Sequence, residues 1–380
     1  GMLFGIGGTS LISRLLGEGK ERRARHASSF CFWTGLGIGI VSMLVIFFGA
    51  RPVAGAIGAS ADTIDYASEY LKIVSIGIPF LIVSNSFSNI IRAEGAPKTA
   101  MAGMILGNMV NVVLDPVFIL LFNMDIAGAA IATVIGNVVS AIFYVRHILS
   151  KKSMLSISPK EYKASNHIAM DVFAIGIPAS LNSVLMSTSN IVINTMMKDY
   201  GDMAVAGLGV AMKVNMIAVM LLIGLGTGIQ PLLGFCFGAL NKKRYMAVLR
   251  FSLLLGLGLS MVMTIICYTA AGPMVSAFLE EPEAFEFGMQ FARTYILSGP
   301  ILGIMFVMIN AIQSTGAALP ALVLSISRQG LVFMPVIFIF KTVFDSARML
   351  SAAQPFTDYM SVLLCIILFT YTYRKYFNWE

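Results

Sequence analysis

The stretch Asn108-Met-Val-Asn111-Val-Val-Leu-Asp115-Pro116 decides the reading of this chain. It lies within an apolar run over roughly 98–122. Asn108, Asn111 and Asp115 recur at i, i+3 and i+7, so they share one helix face. Asp115 is the acid that falls well inside an apolar segment; the others lie in loops or near segment ends. A carboxylate at bilayer depth costs about 3 kcal/mol unless it is paired, neutralised or hydrated. The expected role is a proton or cation site. The structural alternative is a hydrogen bond from Asp115 to a neighbouring amide or backbone group.

The surrounding composition places that helix in a membrane. Of 380 residues, 57% are hydrophobic and only 12% charged, and the mean hydropathy is +0.84. Soluble domains carry about 25% charged residues. Apolar runs of about 20 residues recur throughout, which predicts an all-α polytopic membrane protein. Their ranges are 1–17, 28–50, 67–92, 98–123, 127–148, 168–196, 202–237, 246–277, 285–314, 318–344 and 355–375. The net charge of +7 sits in short loops, which suits membrane orientation better than nucleic acid. Cys31, Cys236, Cys267 and Cys365 lack metal or disulfide spacing, and His26, His147 and His167 form no cluster.

Basic residues fix the expected topology. Lys20, Arg22, Arg23, Arg25, Arg92, Lys98, Arg146, Lys151, Lys152, Lys160, Lys163, Lys242, Lys243, Arg244, Arg250, Arg374 and Lys375 fall on one side. The opposite loops hold few bases and the acidic run Glu280-Glu-Pro-Glu283. The first side is read as cytoplasmic, with the C-terminus inside. The expected location is the plasma (inner) membrane, multi-pass.

An internal repeat gives the domain plan. A shift of 221 residues places Gly5, Gly35, Pro79, Asn89 and Gly95 on Gly226, Gly256, Pro300, Asn310 and Gly316. With a slip of two, Pro116 corresponds to Pro335. Repeats of this kind mark transporters. The expected division is an N-lobe over 1–149, a cytoplasmic linker over 150–167 and a C-lobe over 168–380, making two pseudo-symmetric bundles. Five segments in the first bundle against six in the second imply an expected further helix ahead of the first.

Polar stripes mark other helix faces. Ser183, Ser187, Asn190 and Asn194 form one, Thr133, Asn137, Ser140 and Tyr144 another, and Asn85, Ser88 and Asn89 a third. Each reads either as hydrogen-bonding glue between helices or as the lining of an aqueous cavity. Asn108, Asn137, Ser183, Ser187, Asn190 and Asn310 are the candidate cavity residues. Lys213, Arg328 and Gln230-Pro231 lie in apolar sequence of the C-lobe, where no acid at membrane depth is expected to pair with the cations. Arg328 is alternatively read as snorkelling near an interface. Pro79, Pro116, Pro178, Pro300 and Pro335 are expected to kink their helices.

No GxSxG, HExxH, P-loop or CxxC pattern is present, so no enzyme, metal centre or cofactor is expected, and transport would run on an ion gradient.

The motifs IRAEGAPKTAM (91–101), NVVLDPVFI (111–119), GAAIATVIGN (128–137), IGIPASL (175–181) and GTGIQPLLGFCFGALNKKR (226–244) resemble the multidrug and toxic compound extrusion (MATE) family. The resemblance covers essentially the full chain, from the family's second helix on. It implies two six-helix lobes, alternating access, and export of amphipathic, often cationic compounds against H+ or Na+. By the same resemblance Asp115 and Asn111 match the fifth-helix ion site, Thr133 a sixth-helix ligand, and Asn85 and Ser88 polar residues of the fourth helix. A lipid bilayer and small-molecule drugs or organic cations are the expected partners, with no obligate protein partner. Two other readings stay open: a flippase for a lipid-linked precursor, which needs a basic cavity, and an inactive fragment.

Overall fold

A computed structural model describes residues 1–58, 60, 63–164 and 167–377. The linker positions 165 and 166 and the last three residues lie outside it. Every regular element among the described residues is a helix. The N-terminal part holds α1 (Met2–Gly17), α2 (Glu21–Phe48), the short α3 (Ala50–Ala56), α4 (Ile64–Ala93), α5 (Pro97–Pro116) and α6 (Asp125–Leu149). Then follow α7 (Ile168–Met197), α8 (Asp202–Gly238), α9 (Lys242–Thr269), α10 (Ala271–Ser276), α11 (Pro282–Ile296), α12 (Gly299–Thr315), α13 (Ala318–Ile326), α14 (Phe333–Phe344) and α15 (Ala347–Tyr376). Nine helices among the described residues are long and apolar enough to cross a membrane. The bent pair α11–α12, angled by 49° at the break before Pro300, makes a tenth, and α1 is a shorter apolar helix. Helices are what a span demands, because every backbone N–H and C=O must be satisfied within its own segment.

The chain divides into two compact units, Gly1–Gly176 and Ile177–Glu380. The division falls inside α7, next to Pro178. The start of α7 therefore belongs with the first unit, where Ile168 and Val172 join a core built on Ile12, Phe87, Ile90 and Tyr144. The second unit has its own core around Ile193, Leu208, Phe291, Phe333 and Leu350. The expected linker is not a free spacer, since Leu155 and Ile157 are also buried in the first core.

The repeat reappears as matching contacts inside each unit. A Cβ added at Gly5 would lie 3.0 Å from Asn89 Nδ2, and one at Gly226 would lie 2.5 Å from Asn310 Nδ2. Each asparagine then donates to the carbonyl one turn back, Asn89 to Asn85 and Asn310 to Phe306, both at 2.9 Å. Gly39 packs on Pro79, and its counterpart Ser260 donates to Pro300 O at 2.7 Å. Small residues here let backbones approach, as membrane helices require.

One helix in each unit also leaves the α-helical path. Val117–Leu121, directly after Pro116, forms a π-helical turn, and Ser327–Leu331 forms another between α13 and α14. Such turns are single insertions into a helix and recur at functional positions.

One contact sets the geometry of the site. Gly107 on α5 meets Gly136 on α6 so closely that a Cβ on either would lie 2.6 or 2.7 Å from the other's carbonyl oxygen. Ser140 Oγ donates to Gly103 O at 3.0 Å and Tyr144 Oη to Ala100 O at 2.7 Å, fastening the same pair. These two members of the α6 stripe are helix-to-helix glue. Gly107→Ala must push backbone against backbone and is expected to cost roughly 1–3 kcal/mol. Gly258→Ala, where an added Cβ meets nothing within 4 Å, should leave the thermal midpoint in detergent unchanged. Equal midpoints for both variants would contradict this packing.

Candidate functional site

Asp115 lies one residue before the proline and the π-helical turn. The close approach at Gly107 and Gly136 brings the next turn of α5 against α6. There Asn111 Nδ2 donates to Thr133 Oγ1 at 3.3 Å and sits 3.5 Å from Asp115 Oδ1. Thr133 in turn donates to Ala129 O at 2.9 Å. Asp115 and Asn111 are half-buried and Thr133 is exposed. Among the described residues no lysine, arginine or histidine lies within ion-pair distance of Asp115. The carboxylate therefore has only neutral partners. Oxygens of a carboxylate, an amide and a hydroxyl suit a proton or a hard monovalent cation.

The remaining predicted residues are placed differently. Asn85 is exposed and Ser88 buried on α4. Ser88 donates to the Asn85 carbonyl at 2.9 Å, and no hydrogen bond joins either to Asp115 among the described residues. Asn108 is exposed and Asn137 half-buried. On α7, Ser187 donates to Ser183 O at 3.2 Å and Asn194 to Asn190 O at 2.7 Å, so these two side chains answer their own helix backbone. Asn310 is buried against Gly226 and donates to Phe306 O at 2.9 Å.

The C-terminal unit corrects two expectations. Helix α15 begins at Ala347, about two turns before the apolar segment expected from 355, which puts Asp358 about three turns inside it. Asp358 is fully buried. Its Oδ1 accepts from Arg328 Nε at 2.8 Å and from Gln354 Nε2 at 3.1 Å, and its Oδ2 accepts from Ser298 Oγ at 2.8 Å. Arg328 thus has an acid partner at depth and does not snorkel. Its guanidinium also lies 5.4 Å from the Phe306 ring centre. The pair pins the second π-helical turn, whose Gln329 carbonyl accepts from Ser189 Oγ at 2.6 Å. Lys213, by contrast, is exposed, with its ammonium 5.0 Å from the Phe278 ring centre. Asp358 escaped the sequence reading because Gln354, Pro355, Thr357 and Tyr359 dilute the hydropathy around it. The usable signal was Arg328 itself, a cation in apolar sequence that demanded an acid.

No group of three or more His, Cys, Asp or Glu suited to a metal occurs among the described residues. Removing one partner of a buried ion pair leaves an uncompensated charge and costs roughly 3–5 kcal/mol. Asp358→Ala should therefore lower the thermal midpoint strongly, while Arg328→Met with Asp358→Leu should recover most of the loss. A midpoint for Asp358→Ala equal to that of the unaltered protein would contradict the assignment.

The geometry sits within a known plan. The family model MatE matches residues 1–117 and 178–339. The multidrug export protein MepA of Staphylococcus aureus (strain MSSA476) is 31% identical over 345 residues, covering 90% of this chain and 76% of the relative. MepA of Staphylococcus saprophyticus is 29% identical over 344 residues, with the same coverage. Among solved structures, a MATE transporter in complex with MaL6 superposes with a TM-score of 0.91 at 20% identity, covering 99% of this chain and 84% of that one. The Vibrio cholerae MATE transporter VcmN in the bent form gives a TM-score of 0.89 at 20% identity, covering 98% and 85%. The fold is theirs, and the chain belongs to the MatE family, the multidrug and toxic compound extrusion transporters.

Proposed function

We propose that this chain exports amphipathic, often cationic small molecules across the plasma membrane in exchange for H+ or Na+, with Asp115 as the ion-carrying group. The observation that carries the proposal is the Asp115–Asn111–Thr133 grouping: a carboxylate at membrane depth with neutral partners and no base beside it. Such a carboxylate exchanges its countercharge at low cost, whereas one held by arginine does not. The names of the MepA relatives support multidrug export as the class of activity.

In this mechanism Asp115 binds a proton or Na+ from one side of the membrane. Neutralisation removes the cost of a charge facing apolar surroundings and lets α5 repack at Pro116 and the π-helical turn beside it. The lobes then open to the other side, the ion leaves, and the regained charge favours a cationic substrate. Asn111 and Thr133 orient the carboxylate and offer oxygens to the ion. The polar residues Asn108, Asn137, Ser183, Ser187 and Asn190 serve a substrate path. Exchange rather than leakage requires that ion and substrate disfavour one another, which a shared charge provides.

The flippase reading needs a basic cavity for a pyrophosphate. Arg328 is neutralised by Asp358, which leaves Lys213 without a basic neighbour for that role and favours the exporter.

Reconstituted into vesicles, the protein should expel a fluorescent organic cation when a proton or sodium gradient is imposed, and one of the two gradients should suffice. Asp115→Asn should reduce that flux to the level of protein-free vesicles; full ion-driven flux in this variant would refute the role of Asp115. For orientation, a green fluorescent protein fused after Phe377 should fluoresce in cells, and alkaline phosphatase inserted at Glu281 should be active. The opposite pattern would invert the proposed topology.

A further inference from the structure

The segment that leaves α6 folds back onto α2 as a strap. Trp33 Nε1 donates to Ile157 O at 3.0 Å and Ser29 Oγ to Ser158 O at 2.8 Å. Arg25 forms an ion pair with Glu161 at 3.2 Å, and His26 Nδ1 lies 2.9 Å from the Glu161 carbonyl oxygen. The Tyr162 ring packs 5.9 Å from Phe30, and its hydroxyl meets that of Thr34 at 3.3 Å. Every one of these contacts lies within the first unit.

Strap and helix border two adjoining open grooves that share Trp33 and Pro159. One, about 650 Å³, is apolar and runs along α2 past Trp33, Gly37, Ile38 and Val41, roofed by Pro159 and Tyr162. The other, about 720 Å³, is polar and basic, with Arg25, Lys151 and the serines 150, 153 and 156 on its wall. Lys152 and Lys160 lie exposed on the same strap. Two acids border it, and both are engaged: Glu161 pairs with Arg25, and Glu94 accepts from the Met154 N–H of the strap and lies 3.4 Å from His147 Nε2.

We propose that this two-part groove is a binding site for an anionic phospholipid. Its phosphate sits at Lys151 and Lys152, beside Arg25, and one acyl chain lies in the slot over Gly37. Three features identify the occupant. The slot walls Ile38 and Val41 are exposed, and beyond them α2 presents Val45 and Phe48 as exposed apolar side chains, so the slot opens to acyl chains. Trp33 stands between the apolar and polar parts with its N–H engaged, as indoles do at the headgroup level. Clustered lysines next to a membrane helix attract anionic lipid heads, each base contributing roughly 1 kcal/mol. A neutral lipid would leave the basic cavity unused. The site does not depend on which ion Asp115 carries, nor on which leaflet the strap faces in a symmetric bilayer.

Gly37 supplies the test. A Cβ added there meets nothing within 4 Å, so Gly37→Leu fills the slot without disturbing the helix. The whole protein in detergent would be titrated with phosphatidylglycerol or phosphatidylcholine and read by native mass spectrometry and thermal unfolding. The unaltered protein should hold phosphatidylglycerol about tenfold or more tightly than phosphatidylcholine. Gly37→Leu should lose phosphatidylglycerol retention while keeping its lipid-free thermal midpoint. Lys151→Ala with Lys152→Ala, which leaves the slot intact, should bind the two lipids equally. No headgroup preference in the unaltered protein, or an unchanged preference in the double lysine variant, would overturn the proposal. So would full phosphatidylglycerol retention by Gly37→Leu.

Discussion

A charge taken into the bilayer must be answered there, and the two lobes of this protein answer it in opposite ways. In the C-terminal unit the charge is closed. Arg328 and Asp358 neutralise each other, and Gln354 and Ser298 occupy the other oxygens of the carboxylate. A fully answered pair of this kind has little to exchange, and it holds a π-helical turn in place. In the N-terminal unit the charge is open. Asp115 meets an amide that is shared with a hydroxyl. The π-helical turn beside it has no buried side chain, unlike the turn at Arg328, where Ser327 and Gln329 are buried. One fold thus carries a closed charge in one lobe and an open one in the other, each beside a π-helical turn.

The second constraint is the backbone. Without water to satisfy it, each span is a helix, and helices associate through close contact between small residues rather than by hiding apolar surface. Gly107 against Gly136 shows how that packing serves chemistry. The contact costs both residues their side chains, and one turn away it aligns Asn111 with Thr133. The pairs Gly5 with Asn89 and Gly226 with Asn310 show the same close approach, once in each lobe.

The fold was readable because it rests on hydropathy and repetition. The eleven apolar segments all became helices, and the 221-residue shift reappeared in contacts such as Ser260 with Pro300. The linkage of Asp115, Asn111 and Thr133 was readable by two routes: spacing put the first two on one face, and the family resemblance named Thr133, which the packing of α6 on α5 brings within 3.3 Å of Asn111. Three things lay beyond the sequence. Asp358 was masked by polar neighbours that lowered local hydropathy, although Arg328 pointed to it. Asn85 and Ser88 matched by spacing, and the Ser88 hydroxyl donates to the Asn85 carbonyl on its own helix, which spacing alone does not announce. The strap over 150–162 looked like a polar spacer because its attachment runs through backbone carbonyls, which no residue pattern announces.

The most direct test of the central claim is the affinity of the purified protein for a fluorescent organic cation, measured across pH and across sodium concentration. If Asp115 is shared between ion and substrate, one of the two ions must weaken substrate binding. The linkage slope should approach one ion per substrate and vanish in Asp115→Asn. A substrate affinity that ignores both ions, or a slope that survives in Asp115→Asn, would contradict the account.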